Sequence, residues 1–410
     1  MHRRHLFGLL GPGLAAVASA ADENDSVASN QATADALDED LAGAILTIDL
    51  AAIQENWRRL RAAAAGAECG AAVKANAYGL GMMPVARALF DAGCRTFFVA
   101  RPREGERLRS RLSDATIYVL DGFFAGEPGH FEMHRLRPAL ISLEEARGWA
   151  AFCRKIGRRL PCALHVDTGI NRLGFDLDEF ARLTDDEATM ADLPVALLMS
   201  HLACSDESGH PMNSRQLAAF EQVRARLPRV PASLANSSGI FLGEDFTMDL
   251  VRPGLALYGG HPGHGETNPM RPVVRLKGVV MQVRTVAAGE TVGYGATWQA
   301  SRASRVALLG AGYKDGIPRR FSSEPGRPSA EVAVDGLRCP VVGRISMDMM
   351  AVDVTEVPVG RVRQGTRMEI VGDTITLEEA ASRAGTISYE LLARLGSRFA
   401  RAYTGAATGG

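Results

Sequence analysis

Between Ala71 and Gly260 short β-rich runs alternate with amphipathic stretches, and this rhythm limits the fold more than any other feature of the chain. The runs are AAVKA, TFFVA, IYVLDG, ALIS, ALHVDT, ALLMSHL, SLANSS and VRPGLALYG. Segments such as MPVARALFDAG, LEEARGWAAFCRKIG and SRQLAAFEQVRARL separate several of them, and the separator after IYVLDG carries the weakest helical pattern. Strands that alternate with helices pack as a parallel sheet sheathed by helices. Eight such units fit a closed (β/α)8 barrel.

After about Pro272 the pattern changes. VVRLKGVVMQVRTV, RVALLGAGY, EVAVDGLRCPVVGR, MMAVDV and RMEIVGD are strand-like runs punctuated by Gly, Pro and Asp. Helical segments are expected near Leu377 to Ala384 and Tyr389 to Leu395. The predicted fold class is therefore α/β, an N-terminal (β/α)8 TIM-like barrel over 43–270 followed by a mainly β C-terminal domain over 271–406. One run, AILTID from Ala44, is surplus to the eight and is available to pair with the second domain.

The 410 residues are 46% hydrophobic and 23% charged with a formal net charge of -1, so no basic excess points to nucleic acid. No apolar run reaches the roughly 18 residues of a membrane span. The cysteines Cys69, Cys94, Cys153, Cys162, Cys204 and Cys339 show neither a C-x-x-C pair nor zinc spacing, and read as dispersed buried thiols. The N-terminus has a basic start, a short apolar core and the small residues Ala18, Ser19 and Ala20, the pattern of a signal peptide over 1–20. Arg3 and Arg4 followed by His5, Leu6 and Phe7 resemble a twin-arginine signal, so a periplasmic location is expected. Residues 21–42 are acidic and poor in large apolar side chains, as in a disordered linker.

A barrel presents its chemistry at the C-terminal ends of its strands. Lys74 ends AAVKA, and Asp167, Thr168 and Arg172 follow ALHV. His201 ends LLMSHL, Asn236 and Ser237 end SLANSS, and Arg252 and Gly254 lie in VRPGLALYG. Alone, each has an ordinary structural explanation; their shared position at strand ends gives them weight. There is no G-x-G-x-x-G after a strand, no P-loop, no His and Asp cluster with metal spacing and no G-x-S-x-G elbow. A lysine amine condenses with an aldehyde, and pyridoxal 5′-phosphate carries an aldehyde, a phosphate and a ring nitrogen. Ser237, Gly254, Leu255 and Tyr78 offer donors for the phosphate, and Arg252 is a candidate partner for the ring nitrogen.

The blocks AVKANAYG, DTGINRLG, SHLACSDE, NSSG, VRPGLALYG, GYGATW, GYKDGIPR, GRISMD and TISYELL, in this order, resemble the alanine racemase family of pyridoxal-phosphate enzymes from Ile45 to Tyr403. The resemblance implies an amino-acid racemase acting on L- and D-alanine, with a homodimer in which each second domain completes its neighbour's site. It implies that Lys74 holds the cofactor and is one base, while Tyr294 is the opposite base, given by the other subunit. Arg252 would face the pyridine nitrogen, with His201 linking Arg252 to Tyr294. Tyr78, Ser237, Gly254, Leu255 and Tyr389 match phosphate-binding positions. Arg172 and the Met347 backbone match the group that receives the substrate carboxylate. Asp206, Arg319, Arg344 and Ile387 match the entrance corridor, and Tyr313 lines the route inward. Racemisation moves a proton from one face of a planar carbanion to the other, which two opposed bases do directly. Lysine and tyrosine both titrate near 10 in water, so both need help at neutral pH.

Three positions depart from the family pattern. His165 stands where many relatives carry a carbamylated lysine beside Arg172, Leu80 replaces a common histidine, and Gly293 replaces a common serine before Tyr294. Rival readings are a broader racemase of lysine, arginine or serine, an amino-acid decarboxylase, and a non-catalytic pyridoxal-phosphate binding protein. Arg252 argues against the decarboxylase, which needs a carboxylate on the ring nitrogen. The second domain with Tyr294 and Met347 argues against the binding protein.

Overall fold

The structure, a computed structural model, describes residues 42–123, 128–265, 267–324, 326 and 329–405. The expected signal peptide, and the linker up to residue 41, lie outside the described residues. Seven strands pair in parallel in chain order: Ala71–Ala72, Thr96–Val99, Thr116–Val119, Arg137–Leu140, Cys162–His165, Val195–Met199 and Ala232–Ser233. The eighth, Leu250–Val251, pairs with Glu68–Cys69 just before the first. Single amides close the ring around it. Asp249 N–H donates to Ala232 O at 3.0 Å and Arg252 N–H to Ala235 O at 2.9 Å, while Ala72 N–H donates to Pro253 O at 2.9 Å. Gly70 allows the seam to pass, since a Cβ there would lie 2.9 Å from the Phe98 ring and 3.0 Å from Thr96 O.

Ala72, Phe98, Tyr118, Ala139, Ala163, Leu197, Met199 and Leu250 fill the barrel interior, with Phe98 stacked on Tyr118 at 5.3 Å. The barrel is thus a packed core rather than a pore. Its sheath follows local rules. Helix Leu143–Ile156 starts where Ser142 Oγ accepts the Glu145 amide, stops at the left-handed Gly157, and buries Trp149.

Six strands of the second domain close on one another in the order Ser304–Leu309, Met350–Asp353, Leu337–Val342, Glu331–Val334, Arg367–Val371 and Val274–Val286, the last returning to the first. Val274–Val286 serves three neighbours, Ser304–Leu309, Arg367–Val371 and Ala44–Asp49, with bulges near Leu276 and Val280. The surplus strand Ala44–Asp49 lies antiparallel to Val274–Val286 and parallel to Ala400–Thr404. A boundary at 43 therefore needs correction: this strand leads into the barrel through helix Leu50–Ala63 but belongs to the second domain's sheet. Asp49 turns the corner, its Oδ1 accepting the Ala52 amide at 2.8 Å.

The cysteines are all free, and all but Cys204 are buried. Among the described residues no helix is long and apolar enough to cross a membrane. Leu46 is fully buried in the strand that both domains share. Leu46→Ala is expected to destabilise the chain by about 2–5 kcal/mol. The test is a clear fall in the thermal unfolding midpoint, with unfolding detected in both domains together.

Candidate active site

The barrel core ends below a cavity of about 500 Å³ at the C-terminal ends of the strands. Lys74, Tyr78, His165, Arg172, His201, Ser237, Arg252, Gly254, Leu255 and Tyr389 all line it, so nine of the site residues expected from sequence, with His165, meet in one place.

Lys74 opens a turn of unusual backbone. Ala75, Asn76, Ala77 and Tyr78 have φ of 52°, 56°, 54° and 53°, a left-handed run without a glycine. Such a conformation costs roughly 1–2 kcal/mol per residue. Neighbours hold it in place. Glu104 Oε1 accepts the Ala75 amide at 2.7 Å, and Asn76 Oδ1 accepts the Met82 amide at 2.9 Å. From the last strand, Arg401 Nη1 donates to Gly79 O at 2.7 Å and Tyr403 Oη to Leu80 O at 3.0 Å. Leu80 itself is fully buried in the core, so its side chain is a packing element.

Burial lowers the pKa of Lys74, and the positive charges of Arg172 and Arg252 act in the same direction against Asp121 and Glu104. The amine is thereby brought closer to losing its proton at neutral pH. Arg252 is buried, donating from Nη1 to Ser233 Oγ and from Nη2 to Ser200 O, each at 2.5 Å. Burial pulls it down to about 10, so it stays a cation at neutral pH. His201 is held well below its ordinary value, first by burial and then by Arg252 and Arg172, and is neutral.

The Arg172 loop is organised by Asp167, whose Oδ1 accepts the Gly169 amide and Oδ2 the Arg172 amide, each at 2.8 Å. Burial opposes the Asp167 charge, but these amides, with those of Asn171 and Ile170, hold its pKa below the ordinary value. Gln216, fully buried on helix Pro211–Arg226, ties this loop to the His201 loop. Its Nε2 donates to Thr168 Oγ1 at 3.3 Å and to His201 O at 2.9 Å, and its Oε1 accepts the Ala203 amide. Glu104, Asp121 and Gln216 escaped the sequence reading because their own neighbours in sequence carry no unusual pattern.

At the other end Ser237 Oγ accepts the amides of Gly254 at 2.9 Å and Ala256 at 3.2 Å. In this structure the Gly254 N–H is committed to Ser237, and the Ser237 O–H remains to donate. A Cβ on Gly254 would lie 2.2 Å from Tyr78 Oη, so the cradle requires glycine. Tyr78 packs between Tyr258 at 4.8 Å and Tyr389 at 6.0 Å. Burial raises the pKa of Tyr78, and burial with the nearby charge of Asp206 lifts Tyr389 to about 12, so both keep their protons as donors.

The remaining expected residues do not line this cavity. Tyr294, Tyr313, Arg319, Arg344, Met347 and Ile387 lie in the second domain, with Tyr294 70%, Ile387 63% and Met347 51% exposed. A link from Arg252 through His201 to Tyr294 is therefore not made within one chain. Gly293 has φ of 79°, a left-handed backbone that explains glycine before Tyr294. His165 is buried beside the cavity, with neither ring nitrogen hydrogen-bonded.

Residues 48–262 match the family model for the alanine racemase N-terminal domain and 273–403 that for the C-terminal domain. The chain is 53% identical over 361 residues to an alanine racemase of Methylobacterium nodulans, covering 88% of this chain and 96% of that protein. It is 45% identical to a catabolic alanine racemase of Mesorhizobium japonicum, covering 93% and 100%. Among solved structures, alanine racemase from Bartonella henselae with covalently bound pyridoxal phosphate is 39% identical, with a TM-score of 0.84 and coverage of 88% and 100%. Biosynthetic alanine racemase from Pseudomonas aeruginosa is 33% identical, with a TM-score of 0.79 and coverage of 89% and 100%.

Burial, followed by the charges of Arg252 and Arg172, holds His165 down at about 4. The unfolded chain therefore binds a proton there that the folded chain refuses between about pH 6.5 and 4. Stability is expected to fall as the pH is lowered across that window. His165→Asn is expected to flatten this part of the profile, read as the unfolding midpoint against pH; an unchanged profile contradicts it.

Proposed function

The chain belongs to the alanine racemase family, and from that premise we propose that it interconverts L- and D-alanine with pyridoxal 5′-phosphate held at Lys74. The observation that carries this is a half-buried lysine of lowered pKa, fixed at a barrel strand end in one cavity with Arg172 and Arg252. The residues fit the cofactor. The Lys74 amine faces the cavity for the aldehyde, Arg252 is fixed for the ring nitrogen, and the Ser237, Tyr78 and Tyr389 hydroxyls stand by the Gly254 cradle for the phosphate. The cofactor supplies a conjugated ring that withdraws electrons from the substrate α-carbon. A protonated Arg252 keeps that withdrawal moderate, because a guanidinium does not give up its proton.

The chain's own residues do the rest. Arg172 receives the substrate carboxylate. Lys74 Nζ takes or returns the α-proton on one face, and Tyr294 Oη does so on the other. Among the described residues lining the cavity, Asp121 is the one carboxylate, and Arg252 occupies the place where a decarboxylase needs an acid. The relatives are named alanine racemases in catabolic and biosynthetic forms alike, so a broader racemase of lysine, arginine or serine is not favoured.

Tyr294 reaches a cavity only in a homodimer. The exposed apolar side chains of Tyr294, Tyr313, Met347 and Ile387 on the second domain support that assembly. With a second copy in place, Asp206, Arg319, Arg344 and Ile387 would flank the entrance. Tyr294→Phe removes one hydroxyl and leaves the cofactor groups intact. It is expected to lower alanine racemisation by about 10²- to 10⁴-fold while cofactor absorbance is retained. Wild-type rates in this variant would contradict the role.

The basic start, apolar core and Ala18-Ser19-Ala20 of the sequence support export to the periplasm. A twin-arginine route suits a protein that binds its cofactor before transport, since it carries folded chains. Cell fractionation is expected to find a form beginning near Ala21 outside the inner membrane. An intact Met1 terminus in the cytoplasm would contradict this.

A further inference from the structure

Away from the catalytic cavity, two barrel helices bring three metal-ligating side chains together. Glu106 lies on helix Pro102–Arg109, which follows strand Thr96–Val99. His130 lies on helix Pro128–Met133, which follows strand Thr116–Val119, and His134 comes one turn later, its amide donating to His130 O at 3.1 Å. Four-residue spacing puts both imidazoles on one face. One carboxylate oxygen and one nitrogen from each ring lie within 4.8 Å of one another. Glu106 Oε2 is 3.8 Å from His130 Nε2, and the imidazole centroids are 4.5 Å apart.

His130 Nε2 is sheltered from solvent and makes no hydrogen bond. At 3.8 Å the carboxylate is too far to bond it directly. A sheltered nitrogen without a partner is costly, and here it lies 3.8 Å from a carboxylate oxygen of the same cluster. Zinc holds nitrogen and oxygen at about 2.0–2.2 Å, which sets tetrahedral ligands about 3.3 Å apart. The present separations, none above 4.8 Å, would have to close by up to about 1.5 Å to reach that value. Imidazole ligands disfavour magnesium and calcium, and two imidazoles with one carboxylate suit zinc.

We propose that Glu106, His130 and His134 bind a divalent transition metal of the zinc class, separate from the catalytic cavity, which none of the three lines. The site would tie the two helices together. One of them also carries Glu104, the residue that holds the Lys74 turn and accepts the Ala100 amide at 2.8 Å.

The test uses the full-length, cofactor-loaded protein and Zn²⁺ alone as probe. The metal is stripped with a chelator, restored by dialysis, counted by elemental analysis and titrated against a chromogenic chelator. The wild type is expected to hold one Zn²⁺ per chain that His130→Ala and His134→Ala do not. Losing only an outer-shell partner weakens metal sites by 10- to 100-fold, so each ligand variant is expected to lose about 100-fold or more in affinity. Glu106→Gln and His130→Gln keep the side-chain shape and serve if the alanine variants fold poorly. Zn²⁺ is expected to raise the unfolding midpoint of the wild type and not of the variants. No zinc bound by the wild type, or binding unaltered by all four substitutions, overturns the proposal. The second result is also what adventitious binding at other histidines, such as His2 and His5, would give.

Discussion

The left-handed turn from Ala75 to Tyr78 is the constraint on which the site depends. Four L-residues near φ +50° cost roughly 4–8 kcal/mol together at the usual price per residue. A chain does not keep such a turn unless its surroundings over-determine it. Here the surroundings include a barrel helix through Glu104, and the second domain through Arg401 and Tyr403. That last contact explains the chain's topology. Ala400–Thr404 must reach the barrel mouth, and it does so by pairing with Ala44–Asp49, the strand that leads into the barrel's first helix. The turn places Lys74 and Tyr78 on one cavity wall, so the amine and the phosphate-type hydroxyl are set by the same strain.

Electrostatics then selects the ligand. Lys74, Arg172 and Arg252 share a cavity, with His165 and His201 held neutral beside them. Among the described residues Asp121 is the one carboxylate on the lining. Arg172 and Arg252 add to burial in lowering the pKa of Lys74, and the three basic groups leave an excess of positive charge that phosphate and carboxylate groups relieve. Arg252 is anchored through both Nη atoms, so its charge cannot swing away. This is preorganisation: the field is in place before a ligand arrives.

Periodicity was enough to read the barrel, because several of the strand runs are followed by a helical stretch. Lys74, Arg172, His201, Ser237 and Arg252 were legible as site residues because the barrel turns strand ends into one rim. The left-handed turn was not legible. No glycine occupies 75–78, and the groups that hold it are distant in sequence. Glu104 and Gln216 were missed for the same reason, whereas Ala44–Asp49 was legible as a surplus strand available to the second domain, with which it pairs. Gly293 was read as a departure from the family pattern before Tyr294, and its positive φ shows that the backbone there favours glycine. The place of Tyr294 came from family resemblance and not from the residues alone, since one chain leaves it in solvent.

If each cavity is completed by the second domain of another copy, lesions in Lys74 and Tyr294 must complement across subunits. Lys74→Ala and Tyr294→Phe chains are purified separately, each nearly inactive, then dissociated and reassembled together. Random pairing makes half the dimers hybrids, each with one intact site of two, so the mixture should regain about a quarter of wild-type alanine racemisation. Recovery at that level is the predicted result. A mixture no more active than its components, with hybrid dimers shown to have formed, would contradict a site shared between two chains.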